Sequence, residues 1–337
     1  MKELIGWKPA GDINIASSRL RAFIPCKKLA ELHWPTELYS EANKENYKIV
    51  IFQKAYTKED IALAIELKSK GVIIVFDQCD NHFFNPLNDI ILTERAERLK
   101  EMVDVADYIT VSTKSIAALF QGKRTYVVDD FIELPVIPSL LKLWYKIKFL
   151  FLFEKSLSIK LVWFGNAGSV NPRFGMIDLT ALLEPLENVN KIHPIELTII
   201  SNSQALFSKY VEGKTSFRIK YIPWDKKTFE YIVAQHDLCI IPIHSNPFTV
   251  CKTNNRVVLS LLLGVPVVAD PIPSYEEFAP YIALSNWENN ILGIVKNKKN
   301  YQAKVKAGQK FIKEHYGEQK IIEQWQYILK DILVSSK

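Results

Sequence analysis

The sequence has few cysteines, and its first residues form no continuous apolar stretch. Four cysteines occur among 337 residues, far apart and with no C-x-x-C pair: Cys26, Cys79, Cys239 and Cys251. This spacing argues against a structural zinc site and favours reduced thiols in a cytoplasmic protein. Because the first residues contain no apolar run, we expect no secretory signal peptide.

Charge of one sign is not in large excess either. The 43 lysines and arginines and the 37 acidic residues give a net charge of +6, and the basic residues are spread along the chain. This modest charge fits a phosphate-bearing substrate or an anionic membrane surface better than nucleic acid, and we expect no nucleic-acid partner. With 48% hydrophobic and 24% charged residues, the composition is that of a globular protein, and the chain is long enough for two domains.

Short apolar stretches typical of strands alternate with helical segments along both halves of the chain. Strands separated by helices of this length imply a parallel, doubly wound sheet in each half. The predicted strands span residues 48–53, 72–76, 108–111, 125–128, 159–164, 196–201, 217–222, 238–242 and 265–269. The predicted helices span 57–70, 92–105, 114–120, 176–186, 203–211, 226–234 and 257–263, and the first of them turns Ile61, Ala64, Ile65 and Leu67 inward.

Polar and cationic side chains stand directly before the apolar stretch 257–263. They are Lys252, Asn254, Asn255 and Arg256. Free amide groups and basic side chains at a helix N-terminus are suited to holding an anion, most simply a phosphate. Gly264 can end the helix in the left-handed conformation before a short buried strand. The alternative is a solvated helix start with ordinary capping residues.

The residues that follow carry a family resemblance. Gly264 opens the pattern G-x-P-V-V-A, which precedes a proline-containing loop and resembles the donor-binding segment of GT-B glycosyltransferases. The resemblance is strongest to the retaining group marked by E-x7-E, where a basic residue three positions before the second glutamate contacts the donor diphosphate. Arg256 holds that position, whereas Cys251 and Leu259 hold the two glutamate positions. The sequence therefore resembles a divergent branch that uses K-x-x-N-R.

The resemblance implies an α/β protein of GT-B architecture. Such a protein has two Rossmann-like domains, each a doubly wound parallel sheet, and an interdomain cleft. The implied divisions are an N-terminal acceptor domain over 1–132, a linker over 133–158, a C-terminal nucleotide-sugar donor domain over 159–318, and a C-terminal helix over 319–337 that packs back towards the N-terminal domain.

The linker contains an apolar stretch interrupted by lysines, residues 138–153. It is too short to span a bilayer, which takes about 20 apolar residues. Lys142, Lys146 and Lys148 interrupt the apolar run, and Trp144 and Tyr145 are residue types that favour membrane interfaces. One interpretation is an amphipathic helix lying on an anionic membrane. The other is a linker helix packed against one of the domains.

A polar loop follows the predicted strand 72–76. Ligand sites of parallel sheets lie at the carboxyl ends of strands, so the loop is a candidate site. By the resemblance, we predict Asp80 and His82 as catalytic, with Asp77 and Asn81 binding an anion or the acceptor. A carboxylate there can stabilise an oxocarbenium ion, deprotonate the acceptor hydroxyl or attack as nucleophile, and a histidine can transfer a proton or bond to a phosphate oxygen. The alternative is a helix-capping loop.

Other loops after strands carry candidates for donor binding. The small-residue loop 165–169 stands where GT-B relatives place a glycine-rich turn near the donor diphosphate, and the loop after strand 238–242 reaches the donor sugar in those relatives. Trp224 can border the nucleobase by stacking, although a buried tryptophan is usually part of a core. The predicted donor-binding residues are Gly165, Asn166, Gly168, Ser169, Trp224, His244, Lys252, Asn255 and Arg256.

A basic stretch near the N-terminus is a further candidate. Ser18, Arg19 and Arg21 stand at the start of a predicted helix and can bind an anion across the cleft. The alternative is a plain helix cap with solvated arginines.

The resemblance implies a cytoplasmic glycosyltransferase that moves a sugar from a nucleotide-sugar donor to a surface-glycan or lipid-linked acceptor with retention, peripheral on the inner face of the plasma membrane. We expect no cofactor and no metal, because GT-B enzymes generally need none, although Asp77, Asp80 and His82 form a conceivable metal set. Two alternatives stay open. One is transfer of a CMP-linked ulosonic acid (Kdo-like), whose carboxylate would need cations; the other is a catalytically silent GT-B-like binding protein.

Overall fold

The computed structural model describes residues 3–133 and 158–335. The described chain forms two compact units. The first unit contains the residues up to Glu133, the short segment Val250–Thr253 and the residues from Glu314 onward, and the second unit contains residues 158–249 and 254–313. The membrane or linker helix expected at 138–153 lies outside the described residues.

The first unit is built on a six-stranded sheet in which every neighbouring pair is parallel. The strands are β1 (Leu4–Pro9), β2 (Thr36–Leu38), β3 (Tyr47–Gln53), β4 (Ile73–Gln78), β5 (Tyr108–Val111) and β6 (Thr125–Val127). The strand order is β2-β1-β3-β4-β5-β6, so the direction of winding reverses between β1 and β3. In an open parallel sheet, the crevice for a ligand lies beyond the carboxyl ends of the strands at such a reversal.

Helices cover both faces of this sheet, and local capping sets where two of them begin. Thr57 and Asp60 form a reciprocal capping box at the start of Lys58–Ser69, and the Asp89 carboxylate accepts from the Leu92 amide at the start of Ile90–Val105. The other helices of the unit are Ala16–Ser18, the π-helical turn Arg19–Phe23, Ile24–Glu31, the 3-10 turn Glu41–Asn46, Lys114–Ala117 and Glu318–Ser335.

The last helix of the chain packs on one face of the first sheet. Trp325 lies edge-on to Trp7 of β1, with ring centroids 4.8 Å apart, and both side chains are buried. Leu329 belongs to the same core as Ile49 of β3. Burying aliphatic side chains of this size contributes roughly 1.5–3 kcal/mol each, so this face holds the C-terminal helix on the sheet.

The second unit has a six-stranded parallel sheet and a separate antiparallel hairpin. The strands of the sheet are β7 (Ile159–Phe164), β10 (Ile195–Ser201), β11 (Arg218–Pro223), β12 (Leu238–Ile241), β13 (Val267–Ala269) and β14 (Ala283–Leu284), and the hairpin consists of β8 (Gly168–Val170) and β9 (Arg173–Gly175). The strand order in the sheet is β11-β10-β7-β12-β13-β14. Counted from β7, this is the Rossmann order 3-2-1-4-5-6, whose reversal falls between β7 and β12.

Helices also flank this second sheet. The helix Asn255–Leu262 runs into Gly264, whose φ of 84° ends it in the left-handed region as predicted. The other helical elements are Met176–Leu182 (3-10), Leu183–Ile192, Gln204–Tyr210, Phe229–Val233, Thr249–Cys251 (3-10), Pro273–Phe278 (3-10), Trp287–Lys296 and Lys298–His315.

The predicted fold class is confirmed, since both sheets are parallel and wound with helices. Several details of the prediction are wrong. Ile65 is 54% exposed and not inward, because the buried face of its helix runs through Ile61, Ala64 and Leu67. The single helix expected over 176–186 is a 3-10 turn followed by an α-helix that continues to Ile192.

Some elements were missed altogether. β1 contains a glycine, a lysine and a proline in six residues, which hides its strand pattern. β2, β14 and the two hairpin strands are only two or three residues long and are held by their neighbours in space.

Within the described ranges, no helix combines the length and the apolar character needed to cross a bilayer.

Candidate functional site

Asp80 lies between two lysines just beyond the carboxyl end of β4. Lys54 Nζ is 2.6 Å from Asp80 Oδ2, and Lys252 Nζ is 2.5 Å from Asp80 Oδ1. Lys54 directly follows β3 at the reversal point of the sheet and has a φ of 52°, unusual for a residue with a side chain. Lys252 belongs to the segment Val250–Thr253 of the same unit. The predicted catalytic carboxylate and the predicted phosphate-binding lysine are therefore direct partners.

His82 and Tyr56 complete what we call the Asp80 cluster, which consists of Lys54, Tyr56, Asp80, His82 and Lys252. The Tyr56 hydroxyl is 2.5 Å from His82 Nδ1, and His82 Nε2 is 3.8 Å from Asp80 Oδ2. Burial and the charge of Lys54 lower the pKa of His82 to about 3. The imidazole is therefore neutral at physiological pH, and one of its nitrogens can accept a hydrogen bond.

The charge state of Asp80 follows from its partners. Burial alone would raise the pKa of the Asp80 carboxyl, but the charges of Lys252 and Lys54 outweigh burial and hold the pKa well below its ordinary value. A carboxylate of this kind stays ionised at every physiological pH. It is a poor proton acceptor, because efficient general bases have a pKa near the working pH. Its chemistry is that of a fixed negative charge.

Arg21 and Asp77 form a buried ion pair beneath this loop. Arg21 donates from Nε and Nη2 to the two Asp77 oxygens, at 2.8 and 2.6 Å, and from Nη1 to Asp130 Oδ1 at 2.8 Å. The Thr110 hydroxyl also donates to Asp77, at 2.7 Å. Arg21 is 1% exposed and Asp77 is fully buried. This arrangement ties β4 and β5 to the helix that carries Arg21, and the pair serves the architecture of the unit.

The other residues predicted to bind an anion or the acceptor are also engaged with the protein. Arg19 donates to Glu133 at 2.9 Å and to the Ile13 carbonyl at 3.0 Å. Ser18 is 1% exposed and lies inside the helix that begins at Ala16, so the expected serine cap is wrong. Asn81 is 4% exposed, and its side-chain oxygen accepts from the Phe83 amide at 3.2 Å.

Asp80 and His82 do not cap a helix, although a helix-capping loop was the alternative for this stretch. The next helix begins at Ile90 and is capped by Asp89. Lys54 and Tyr56 were missed as site residues. They follow the predicted strand 48–53 directly, so the rule that drew attention to the loop after 72–76 would have found them as well.

The loop after β7 lies at the reversal point of the second sheet. Its amides are largely committed within the loop and to β10. The Gly168 amide donates to Asn166 Oδ1 at 2.8 Å, and the Ala167 amide donates to Asn202 Oδ1 at 2.9 Å. The Gly165 carbonyl accepts from the Ser201 hydroxyl at 2.8 Å. The loop is therefore a turn with small side chains that its own hydrogen bonds hold in place.

Arg256 lies beside this loop. A Cβ atom placed on Gly165 would be 3.7 Å from Arg256 Nη1, so the guanidinium and the glycine are in van der Waals range. Arg256 is the second residue of the helix Asn255–Leu262. The structure thus brings together two predicted donor-binding elements, the small-residue loop and the basic helix start, within the second unit.

The loop after β12 is joined to the β8–β9 hairpin. Asn246 Nδ2 donates to the Arg173 carbonyl at 2.8 Å, and the Phe174 and Phe248 ring centroids are 4.9 Å apart. The Thr249 hydroxyl donates to the His244 carbonyl at 2.6 Å, while the His244 side chain is exposed. The loops after β7 and β12 therefore form one rigid rim on the two sides of the reversal point.

Trp224 lies just beyond β11 and is partly exposed. Its exposed fraction is 36%, and its ring centroid is 5.5 Å from that of Phe229. The alternative of a tryptophan buried in the core is therefore wrong for this residue. Ser169, the last predicted residue of the small-residue loop, donates its hydroxyl to the Asn171 carbonyl at 3.0 Å.

Comparison with solved structures shows which class of fold this is. HepE from Anabaena, solved in complex with UDP and glucose, aligns with a TM-score of 0.68 at 14% identity, over 98% of this chain and 100% of that one. A glycosyltransferase from Rickettsia africae aligns with a TM-score of 0.65 at 11% identity, over 98% of both chains. Sucrose-phosphate synthase from Thermosynechococcus elongatus aligns with a TM-score of 0.61 at 12% identity, over 96% of this chain and 80% of that one.

The chain therefore has the GT-B fold of glycosyltransferases. No protein-family model matches the sequence. A search of curated proteins likewise finds no match.

Proposed function

We propose that the protein is a glycosyltransferase that uses a nucleotide-sugar donor. The main support is the likeness over the whole chain to HepE, which was solved with UDP and glucose. The second support is the proximity of Gly165 and Arg256 at the reversal point of the second sheet. Ligands of Rossmann-type sheets bind at that point.

The second unit binds the donor in this proposal. Arg256 and Asn255 begin a helix whose N-terminal amides and positive dipole end favour a phosphate. The small side chains of the 165–169 loop let the phosphates approach the backbone, and Arg256 supplies the charge. The partly exposed Trp224 offers a flat face for the nucleobase.

The Asp80 cluster supplies the charges for the transfer step. Because its two lysine partners keep Asp80 ionised, we assign it the electrostatic stabilisation of positive charge on a reacting sugar, and not proton abstraction. Lys252, paired with Asp80, adds a second positive charge to the same cluster. Neutral His82 has one N–H and one acceptor nitrogen, so the nitrogen that Tyr56 leaves open can form a hydrogen bond with a sugar hydroxyl.

The finer assignments rest on the sequence pattern and belong to the same proposal. K-x-x-N-R over 252–256 supports assignment to a divergent branch of the retaining E-x7-E group, with a hexosyl or related donor. We propose a surface-glycan or lipid-linked acceptor, such as one used in building lipopolysaccharide, and action at the cytoplasmic face of the membrane with no metal. Residues 1–132 would handle the acceptor and 159–318 the donor.

The test is a binding screen with UDP, GDP, ADP, TDP, CDP and CMP by thermal shift and calorimetry. A nucleotide that binds the folded state raises the melting temperature by mass action. Arg256→Ala should weaken the binding of the positive nucleotide at least tenfold, whereas Arg218→Ala, which removes an exposed arginine of the same unit, should not change it. Binding of CMP alone would favour the ulosonic-acid alternative.

Turnover separates an enzyme from a silent binding protein. Asp80→Asn should abolish release of nucleotide from the nucleotide-sugar that the screen identifies, while nucleotide affinity stays within about twofold of the parent. No nucleotide binding by folded protein, or an Arg256→Ala variant with unchanged affinity, would contradict the proposal.

A further inference from the structure

Several buried polar groups gather at the carboxyl edge of the first sheet without a hydrogen-bond partner among the described residues. Gln53 ends β3 and Gln78 ends β4, and both side-chain amides are fully buried and unpaired. The hydroxyl of Ser112, which follows β5, is in the same state. Because buried polar groups are almost always paired, orphans at the ends of three adjacent strands point to a partner that binds there.

Arg95 is the most costly of these orphans, because it is charged. Its Nε and Nη2 atoms are buried without a partner in the described chain. Arg98, on the same helix Ile90–Val105, shows the ordinary arrangement, with Nη1 3.8 Å from Glu94 Oε2. A guanidinium donates through a rigid planar fork that suits a carboxylate or phosphate. Arg95 thus presents donors of the type that grip an oxyanion.

Arg95 belongs with the Asp80 cluster. It is close enough to His82 for its charge to help lower the pKa of that imidazole, and its charge also acts on the Tyr56 hydroxyl. Lys54 and Lys252 contribute two ammonium groups to the same region. The charges of three cations, Lys54, Arg95 and Lys252, therefore act on one imidazole, that of His82.

We propose that Arg95, together with Lys54, forms an oxyanion subsite in the first unit, and that this subsite binds a phosphate group of the acceptor. The identification with the acceptor rests on the proposed function, while the oxyanion site itself does not. A phosphate supplies three acceptor oxygens and up to two negative charges, enough to engage the Arg95 fork and the Lys54 ammonium together. The class of acceptor is therefore a phosphorylated sugar or a phosphate-linked lipid, in contrast to a neutral glycan.

The experiment is calorimetric titration of the full chain with inorganic phosphate at low ionic strength, with the nucleotide found by the screen present at saturation to occupy the second unit. We expect Arg95→Gln to weaken phosphate binding at least tenfold, and Arg95→Lys to weaken it less because the charge remains. Lys100→Gln removes an exposed cation from the same helix and should leave affinity unchanged. Acetate should bind more weakly than phosphate, by severalfold.

Stability gives a second readout. Removing a guanidinium whose buried Nε and Nη2 serve a ligand should raise the melting temperature of the ligand-free protein. Added phosphate should raise the melting temperature of the parent but not that of Arg95→Gln. The subsite is ruled out if phosphate binds the parent and Arg95→Gln equally, or does not bind the parent. Its assignment to phosphate is ruled out if acetate binds as tightly as phosphate. Nucleotide binding is measured separately, so a failure of the phosphate subsite does not contradict the proposed function. If no nucleotide binds in the screen, the phosphate titration is run without nucleotide and still tests the subsite.

Discussion

The two sheets have similar architecture, but their carboxyl edges differ in chemistry. The first edge is charged and crowded, with the Asp80 cluster above the buried Arg21–Asp77 pair. The second edge is made of small residues in turns, with Arg256 beside the glycine loop. One fold thus has one sheet edge with fixed charges and another that allows close approach to the backbone.

The two edges also differ in how their polar groups are satisfied. Asparagine side chains at 166, 202 and 246 accept or donate the hydrogen bonds that close the turns of the second edge. The first edge keeps the side-chain amides of Gln53 and Gln78, together with Nε and Nη2 of Arg95, buried and unpaired among the described residues. The turns of the second edge are thus closed by its own side chains, although Trp163 Nε1 and Asn171 Oδ1 of that unit are also unpaired among the described residues, whereas the first edge contains buried amide groups and a guanidinium that a ligand can complete.

The largest expected effect comes from breaking the buried pair of the first edge. Asp77→Ala should lower the free energy of unfolding by about 4 kcal/mol, because it leaves Arg21 buried without its bidentate partner. Urea denaturation followed by circular dichroism measures the change. The double variant Arg21→Met/Asp77→Leu should recover a large part of the loss, since it removes both charges. A double variant no more stable than Asp77→Ala would show that the pair itself is not the cause.

A slightly smaller effect is expected when the glycine hairpin of the second edge is filled. A Cβ on Gly168 would lie 1.9 Å from the Phe174 carbonyl oxygen, and its φ is 82°. Gly168→Ala should therefore cost about 3 kcal/mol of unfolding free energy, from strain and clash together. Gly213→Ala is the matched control, because Gly213 has a φ of 69° but no atom within 4 Å of the added Cβ, and it should cost about 1 kcal/mol. Equal losses in the two variants would contradict the close packing of the hairpin.

The smallest effect concerns acid, and it compares one buried histidine from each unit. The pKa of His82 is lowered to about 3 by burial and the charge of Lys54, and that of His236 is lowered to about 4 by burial. His236 lies between the Ile232 carbonyl and the Thr198 hydroxyl, each 2.8 Å from a ring nitrogen. Both imidazoles are therefore held neutral in the folded state.

The sign of the effect follows from proton binding. An unfolded histidine binds a proton near pH 6.5, whereas the folded ones do not until about pH 4 or 3, so the unfolded state gains protons first as the pH falls. The contribution of each histidine to the free energy of unfolding is complete above pH 6.5 and falls by about 2 kcal/mol between pH 7 and pH 5. His82→Gln and His236→Gln should each flatten the slope of unfolding free energy against pH by one proton. Unchanged slopes in both variants would refute this account.

Much of the fold could be predicted from the sequence, because continuous apolar runs such as 48–53 and 159–164 are typical of parallel strands. In the structure these strands are buried on both faces. The short strands β2 and β14 could not be predicted, since their hydrogen bonds come from strands that are distant in the chain. Ile65 was placed on the wrong face because helical periodicity alone does not say which of two adjacent apolar residues packs.

The site was predicted in part for the same reason. Asp80, His82, Gly165 and Arg256 could be proposed as candidates because polar or small residues follow buried strands or open an apolar helix. The ion pairing of Asp80 with Lys252, 172 positions away, gave no local signal. Arg95 was missed because an arginine within a helix looks like a solvated residue until its surroundings are known.

Local sequence is enough to specify the alternation of strands and helices, the glycine that ends the helix before β13, and the kinds of side chain that stand at the strand ends, because these depend on neighbours a few positions away. Which of those side chains come into contact depends on the folded sheets. The charge on Asp80 and the neutrality of His82 depend on burial and on partners that are remote in the chain. The unpaired state of Arg95 Nε and Nη2 likewise depends on the surroundings that the folded sheet creates.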